Sequence, residues 1–282
     1  MGRVTRKRMV LRMGPGSSIR RSDTVAVEEP LELRINGEPF VVTMRTPGDD
    51  IDLIHGLLHS EAVISSRDDV VTARYCDGVG PDGLNTYNVL DVTLGAHVPS
   101  PDPALRRNVL TTSACGVCGS TTIDTVMHES QHRLDPDVRF DQQLVLSAPV
   151  LLREQQRAFD KTGGLHAAGL LSQSGEMLVV REDVGRHNAV DKVVGWAIRE
   201  HTLPLSDTIL SVSGRASFEL TQKAVLAGIP ILVAVSAPSS LAVELAEEAG
   251  LTLVGFVRGD TMNVYTHPER VVASVAAASL SR

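Results

Sequence analysis

The sequence predicts an α/β protein built in two parts, and three observations lead there. Strand-period and helix-period segments alternate through the second half of the chain. Residues 22–110 hold strand patterns around a single helical stretch, the signature of a smaller α+β domain. No apolar run approaches the length of a membrane-spanning helix, and no repeat or low-complexity tract interrupts the pattern. With 282 residues, 43% of them hydrophobic and only 3% aromatic, the chain can fill its cores with Val, Leu, Ile and Ala.

Residues 1–21 carry seven basic side chains (Arg3, Arg6, Lys7, Arg8, Arg12, Arg20 and Arg21) and no acid. Without a continuous apolar segment this is not a secretory signal, and it reads as a disordered basic tail. The remaining residues hold 20 Lys and Arg against 34 Asp and Glu, a net charge of −14 that argues against general nucleic-acid binding. Three cysteines and no signal sequence fit a reducing cytoplasm.

Leu31–Ile35 alternates at the strand period, Asn36-Gly37 is a hairpin turn, and Pro39–Met44 resumes extended structure. Thr46-Pro47-Gly48-Asp49 opens a helix whose apolar positions are Ile51, Ile54, Leu57, Leu58 and Val63. Strands over 70–75 and 87–94 complete an antiparallel sheet. Residues 111–145 are a loop with a connecting helix, and 146–282 form a three-layer α/β domain. In that domain a helix begins at Ser147-Ala148-Pro149 and runs to about Lys161. Strands over 164–171 and 176–181 flank Ser174-Gly175. Helices over 186–201, 216–227 and 240–249 then alternate with strands over 208–213, 230–236 and 251–257.

Chemistry concentrates in Thr111-Thr-Ser-Ala-Cys115-Gly-Val-Cys118-Gly-Ser120. Thr121-x-x-Asp124 fits a capping box, which would aim a helix N-terminus at this loop and favour thiolate, the nucleophilic form. A structural zinc site needs four ligands, and the nearby His128 and His132 keep that reading open. A thioredoxin-like dithiol belongs after the first strand of a βαβ unit, unlike this pair. A reactive thiol that carries sulfur or forms a covalent intermediate is the sharper reading. Cys76 stands alone.

Three polar loops follow strands in the second half: Ser213-Gly214-Arg215, Ser236–Ser240, and Phe256-Val257-Arg258-Gly259-Asp260-Thr261. Strand-to-helix junctions present backbone N–H groups to anions, so together the loops suggest a site for a phosphate-rich ligand, with Asp260 able to read a guanine edge. Arg181–Lys192 packs acids, a base and an amide between a strand and a helix. It is either a charged cap with salt bridges or a ligand pocket. His166 is either a packed strand histidine or a proton donor near the sulfur site. A zinc deaminase would need Glu where Ala168 stands, and a cysteine pair after that point rather than before it.

These segments, in this order, resemble the FdhD family of formate dehydrogenase accessory sulfurtransferases. The matches are Asn36-Gly37 with Thr46–Asp49, Cys115–Gly119, Gly163-Gly-Leu-His-Ala-Ala168, Glu182-Asp-Val-Gly-Arg-His-Asn188, Ser213-Gly-Arg215 and Phe256-x-Arg258 running into Val264–Pro268. The resemblance implies a cytidine-deaminase-like α/β domain beside the smaller one, and a homodimer. It implies a cytoplasmic sulfur carrier that takes sulfane sulfur from a cysteine desulfurase as a Cys115 persulfide, with Cys118 as its exchange partner. The sulfur passes to a bis(molybdopterin guanine dinucleotide) molybdenum cofactor, bound as substrate, before that cofactor enters formate dehydrogenase. Phe256–Thr261 is then the cofactor-binding stretch, where a guanine nucleotide such as GDP would also sit. No resident metal, nucleic acid or membrane is implied. The competing readings are a cofactor-binding chaperone without sulfur transfer and a dithiol oxidoreductase.

Overall fold

A computed structural model describes residues 4–76, 86–101, 107–111, 122–200 and 203–273. In chain order the elements are β1 (Thr5–Gly14), β2 (Ser17–Ala26), β3 (Glu29–Ile35), β4 (Glu38–Arg45), α1 (Asp50–Ser60), β5 (Val70–Tyr75), β6 (Val89–Leu94), β7 (Arg107–Thr111), α2 (Ile123–Glu129), β8 (Phe140–Asp141) and α3 (Gln142–Glu154). They continue with α4 (Arg157–Thr162), β9 (His166–Ser172), β10 (Met177–Asp183), α5 (Arg186–Glu200), β11 (Thr208–Val212), α6 (Phe218–Leu226), β12 (Ile231–Ala234), α7 (Ser240–Ala249), β13 (Thr252–Arg258), β14 (Thr261–Val264) and β15 (Val271–Val272). No helix among the described residues is long and apolar enough to cross a membrane.

Packing divides the chain into two compact units, neither continuous in sequence. The first is Met1–Cys118, Gln156–Ala167 and Arg181–Thr202. The second is Gly119–Gln155, Ala168–Val180 and Leu203–Arg282. The expected boundary at residue 146 does not match this division, because α4 and α5 follow that boundary in sequence yet pack within the first unit.

In the first unit a five-stranded sheet has the order β5-β6-β3-β4-β7. It is mixed rather than antiparallel as expected: β3 pairs with β6 in parallel, and β4 with β7. Strand period alone carries no information on direction, and these parallel partners are distant in sequence. Leu31, Leu33, Leu53, Ile54, Leu58, Leu90 and Val92 form the core between the sheet and α1. On its other side α1 meets α5 at two glycines. A Cβ on Gly56 would lie 2.0 Å from the Asp191 carbonyl oxygen, and one on Gly195 would lie 1.8 Å from that of Asp52. Only glycine at both positions lets the two helix backbones approach this closely.

The expected disordered tail is instead an antiparallel hairpin. β1 pairs with β2 over ten residues each, with Thr5 opposite Ala26 and Gly14 opposite Ser17. Met9, Leu11 and Met13 recur two residues apart, and Gly14-Pro15-Gly16-Ser17 supplies the turn; charge count alone hides both signals.

In the second unit the six-stranded sheet has the order β10-β9-β11-β12-β13-β14, with β11, β12 and β13 mutually parallel. Ile209, Ile231, Val233 and Val254 pack with Val145, Leu146 and Ala148 of α3. The alternating residues Leu210, Leu232 and Leu253 are fully buried too, so these strands are covered on both faces, as a three-layer α/β arrangement requires. α6 and α7 pack on each other and against β12 and β13 respectively. The helix expected from Ser147 to Lys161 is two helices. Asp141 caps the first by accepting from the Gln143 and Leu144 N–H groups (2.7 and 3.4 Å), and Pro149 sits inside it. A proline reads as a start signal because it lacks an N–H. Here burial of Val145, Leu146, Ala148 and Leu152 carries the helix through it.

Replacing Gly56 or Gly195 with alanine forces the α1–α5 backbones apart, and overpacking of this kind costs about 1–3 kcal/mol or more. The expected outcome is a lower urea midpoint for each variant than for Gly250→Ala, whose Cβ would meet nothing within 4 Å despite the positive φ of Gly250. Equal midpoints would contradict the close approach.

Candidate functional site

Cys115 and Cys118 lie outside the described residues. The helix after them, α2, starts at Ile123, and its cap is Thr122, which accepts from the Thr125 N–H at 3.3 Å. The cap is thus Thr122, not the Thr121 that the capping-box spacing picks out. Cys76 is a free thiol of intermediate exposure just after β5.

The loops expected to bind a ligand come together in the second unit. β11, β12 and β13 are parallel, so the segments leaving their carboxyl ends share one edge of the sheet. They are also bonded to each other. Ala216 bridges to Pro238, and the Ser239 N–H donates to the Ala216 carbonyl at 3.0 Å. The Phe256 N–H donates to the Ser236 carbonyl at 3.4 Å. A Cβ on Gly255 would lie 3.0 Å from that same Ser236 oxygen and 3.1 Å from the Tyr265 ring, so the contact is tight. Ser213, Gly214 and Arg215 therefore stand on the same edge as Phe256, Val257, Arg258, Gly259, Asp260 and Thr261. Val257 differs from the rest in being buried, where it packs in the core of the second unit. Phe256 takes a positive φ of 53° with its ring partly exposed, a strained placement for an aromatic residue. Arg258 and Thr261 close the turn into β14, where the Thr261 hydroxyl donates to the Arg258 carbonyl at 3.0 Å.

The Arg181–Lys192 stretch resolves into a sealed polar hub in the first unit. Asp183 and Lys192 form an ion pair at 2.8 Å, with side chains 0% and 1% exposed. The Asp183 carboxylate also accepts from the Thr46 N–H (3.0 Å), the Gly185 N–H (2.8 Å) and the Asn188 side-chain amide (3.1 Å). Lys192 donates to the Thr46 carbonyl at 2.9 Å, and Asn188 to the Met44 carbonyl at 2.8 Å. Of the two readings open in the sequence, the internal salt bridge and cap describes Asp183, Asn188 and Lys192. Glu182 has a capping role as well, accepting from the Ala158 and Phe159 N–H groups at the start of α4.

His166 begins β9 and is half-buried. Burial, with Arg186 and His187 nearby, lowers its pKa below the usual histidine value. The neutral form of the imidazole is therefore favoured near neutral pH.

Sequence reasoning missed a second polar group in the first unit. Arg45 is buried and forks onto Asp50, at 3.2 and 3.1 Å, and Tyr75 donates to Asp50 at 2.9 Å. Burial and the Asp50 carboxylate raise the Tyr75 pKa, which keeps its hydroxyl a donor. Next to it, Arg181 and Arg199 both bond Asp52, at 2.8 and 2.6 Å. A cavity of about 240 Å³ opens here, lined in part by Asp49, Asp50, Tyr75, Tyr87 and Arg199. The only signal in the sequence was the position of Arg45 directly before the Thr-Pro-Gly-Asp break.

Together these features define a two-unit α/β protein with a polar, loop-built edge at the carboxyl ends of its parallel strands. Residues 26–272 match the FdhD/NarQ family, and the chain belongs to it. It is 59% identical over 271 residues to the sulfur carrier protein FdhD of Nocardia farcinica, covering 96% of each chain. It is 56% identical to the protein of that name from Streptomyces avermitilis, covering 99% of each. The likeness reaches Saccharolobus solfataricus, at 43% identity over 96% of this chain and 100% of that relative. A crystal structure from Desulfotalea psychrophila, whose description offers formate dehydrogenase accessory protein as its role, shares the fold. Its TM-score is 0.76 at 24% identity, covering 96% of this chain and all of that one.

Burial also lowers the pKa values of His55 and His132, so three histidines resist protonation in the folded state more than in the unfolded one. Their contribution to stability is complete above the unfolded-state pKa and is lost as pH falls through the folded-state values. The urea midpoint should therefore fall as pH is taken from 7.5 down through the histidine range, and the fall should be shallower in His166→Gln. A midpoint that rises on acidification would contradict the sign.

Proposed function

We propose that this chain is a sulfur carrier for the maturation of formate dehydrogenase, working in a reducing cytoplasm. The observation that carries the reading is full-length identity of 59% and 56% to proteins called sulfur carrier protein FdhD. In this reading the Cys115 thiolate attacks the outer sulfur of a cysteine desulfurase persulfide. It becomes Cys115–S–SH and releases the donor's thiolate. The bis(molybdopterin guanine dinucleotide) cofactor is the substrate that receives the sulfur. Sulfane sulfur must gain two electrons to become a sulfido ligand. Attack of Cys118 on the inner sulfur of the Cys115 persulfide supplies them: the outer sulfur departs as sulfide and a Cys115–Cys118 disulfide remains. A cellular dithiol then restores both thiols.

The loops on the shared sheet edge suit the guanine nucleotide ends of that substrate. In this reading backbone N–H groups at Ser213–Ser217 and the side chains of Arg215 and Arg258 would meet the phosphates, and Asp260 the paired N–H donors of guanine. A homodimer, with the desulfurase and formate dehydrogenase as transient partners, completes the reading.

Two outcomes test it. Incubation with a desulfurase and cysteine should add about 32 Da, one sulfur atom, to the Cys115 peptide. Cys118→Ala should still load, and Cys115→Ala should not load and should leave formate dehydrogenase inactive. Binding of the cofactor without any loading would leave a chaperone instead. In titrations the protein should prefer GDP to ADP, and Asp260→Asn should erase most of that preference. Equal isotherms for the two nucleotides in the unmodified protein would overturn the guanine assignment.

A further inference from the structure

No residue that lines the cavity of about 240 Å³ in the first unit takes part in the sulfur-carrier reading. At about 30 Å³ per water molecule the cavity has room for roughly eight, the bulk of a mid-sized organic molecule. Most of the charge around it is already paired. Arg45 forks onto Asp50 at 3.2 and 3.1 Å, and both are buried. Asp52 is held by Arg181 and Arg199 at 2.8 and 2.6 Å. Two lining groups keep capacity to spare. Asp49 is the N-cap of α1, with a left-handed φ of 53°, and its side chain makes no cap bond. That carboxylate is 48% exposed, and Arg181 Nε stands 3.6 Å away, beyond ordinary hydrogen-bond length. Arg199 commits one Nη to Asp52, while the other comes only within 4.0 Å of Glu200, and the side chain is 36% exposed. A guanidinium has five N–H donors, so it can hold a second carboxylate. Apolar surface comes from Ile51 and from Tyr75 and Tyr87, whose rings meet edge to face with centroids 5.5 Å apart. Tyr75 is anchored by its hydrogen bond to Asp50.

We propose that this cavity binds a free α-amino acid with an apolar side chain. The charges choose the ligand. Asp49, Asp50 and Asp52 balance Arg45, Arg181 and Arg199, so the site favours neither a net cation nor a net anion. An open acceptor and an open donor at one cavity suit a molecule that carries both charges. The ligand's ammonium meets the Asp49 carboxylate. Its carboxylate meets Arg199 and the positive end of α1, whose first turn lines the cavity. Its side chain lies on Ile51, Tyr75 and Tyr87. This site goes beyond the sulfur-carrier reading and does not depend on it.

Calorimetric titration of the full chain with L-leucine tests the proposal. Binding should saturate, with a dissociation constant of about 1 mM or tighter. L-Leucinamide lacks the carboxylate and N-acetyl-L-leucine lacks the ammonium, and each should bind about tenfold more weakly or worse. Asp49→Asn should weaken leucine binding about tenfold or more yet keep the urea midpoint, since asparagine also tolerates a left-handed φ and no cap bond is lost. In Arg199→Gln the affinity for leucine should fall to that for leucinamide, whose own affinity should not change; a pocket that had merely unfolded would lose both. No saturable binding of leucine overturns the proposal. So does equal affinity for leucine and either blocked derivative, or an unchanged affinity for leucine in Asp49→Asn.

Discussion

Asp183 is a carboxylate with no exposed surface, and both of its oxygens are committed: to Lys192, two backbone N–H groups and one amide. Burying a charge is costly unless it is paired and hydrogen-bonded, and this one is both. Its partners come from the end of β4, the turn before α5 and α5 itself. The hub thereby fixes where α5 begins relative to the first sheet. Once that start is fixed, the helix runs past α1 in the one register that brings Gly56 and Gly195 to the crossing. A shift of one residue would place Asn188 away from Met44 and a side chain where only glycine fits. Polar hub and glycine crossing are two expressions of the same constraint.

The second unit achieves order by repetition. Three parallel strands end at one edge, and each following loop is tied to the next by backbone contacts. The edge is a continuous surface rather than three separate turns, and this makes weak individual motifs add up. The strain at Phe256 sits next to a tight contact, beside Gly255 and Ser236. Strained backbone persists only where its surroundings over-determine it.

Much of this was legible in the sequence, for identifiable reasons. The strands of the second unit are short apolar runs bounded by glycine, proline and serine, and the helices between them keep a clean period, so β11 to β13 and α6 and α7 stand within a few residues of expectation. The co-location of Ser213–Arg215 with Phe256–Thr261 followed from the parallel reading. What was not legible depends on pairing across long stretches of chain. The parallel neighbours of β3 and β4, the meeting of α1 with α5, and the Arg45–Asp50–Tyr75 group are set by tertiary packing that local periodicity does not encode. The N-terminal hairpin failed for a different reason: its period was present, but the charge of its arginines pointed to a solvated tail.

The discontinuity of the first unit has a consequence during synthesis. Residues up to 118 emerge from the ribosome with the sheet and α1 but without α5 and the Asp183 hub, which follow more than sixty residues later. Until then the glycine-bearing face of α1 has no native cover. Domains that can close as they emerge are spared this interval. Here the nascent N-terminal half waits, partly assembled, for a helix still inside the exit tunnel, so translation speed between β7 and α5 sets how long it stays open to wrong contacts.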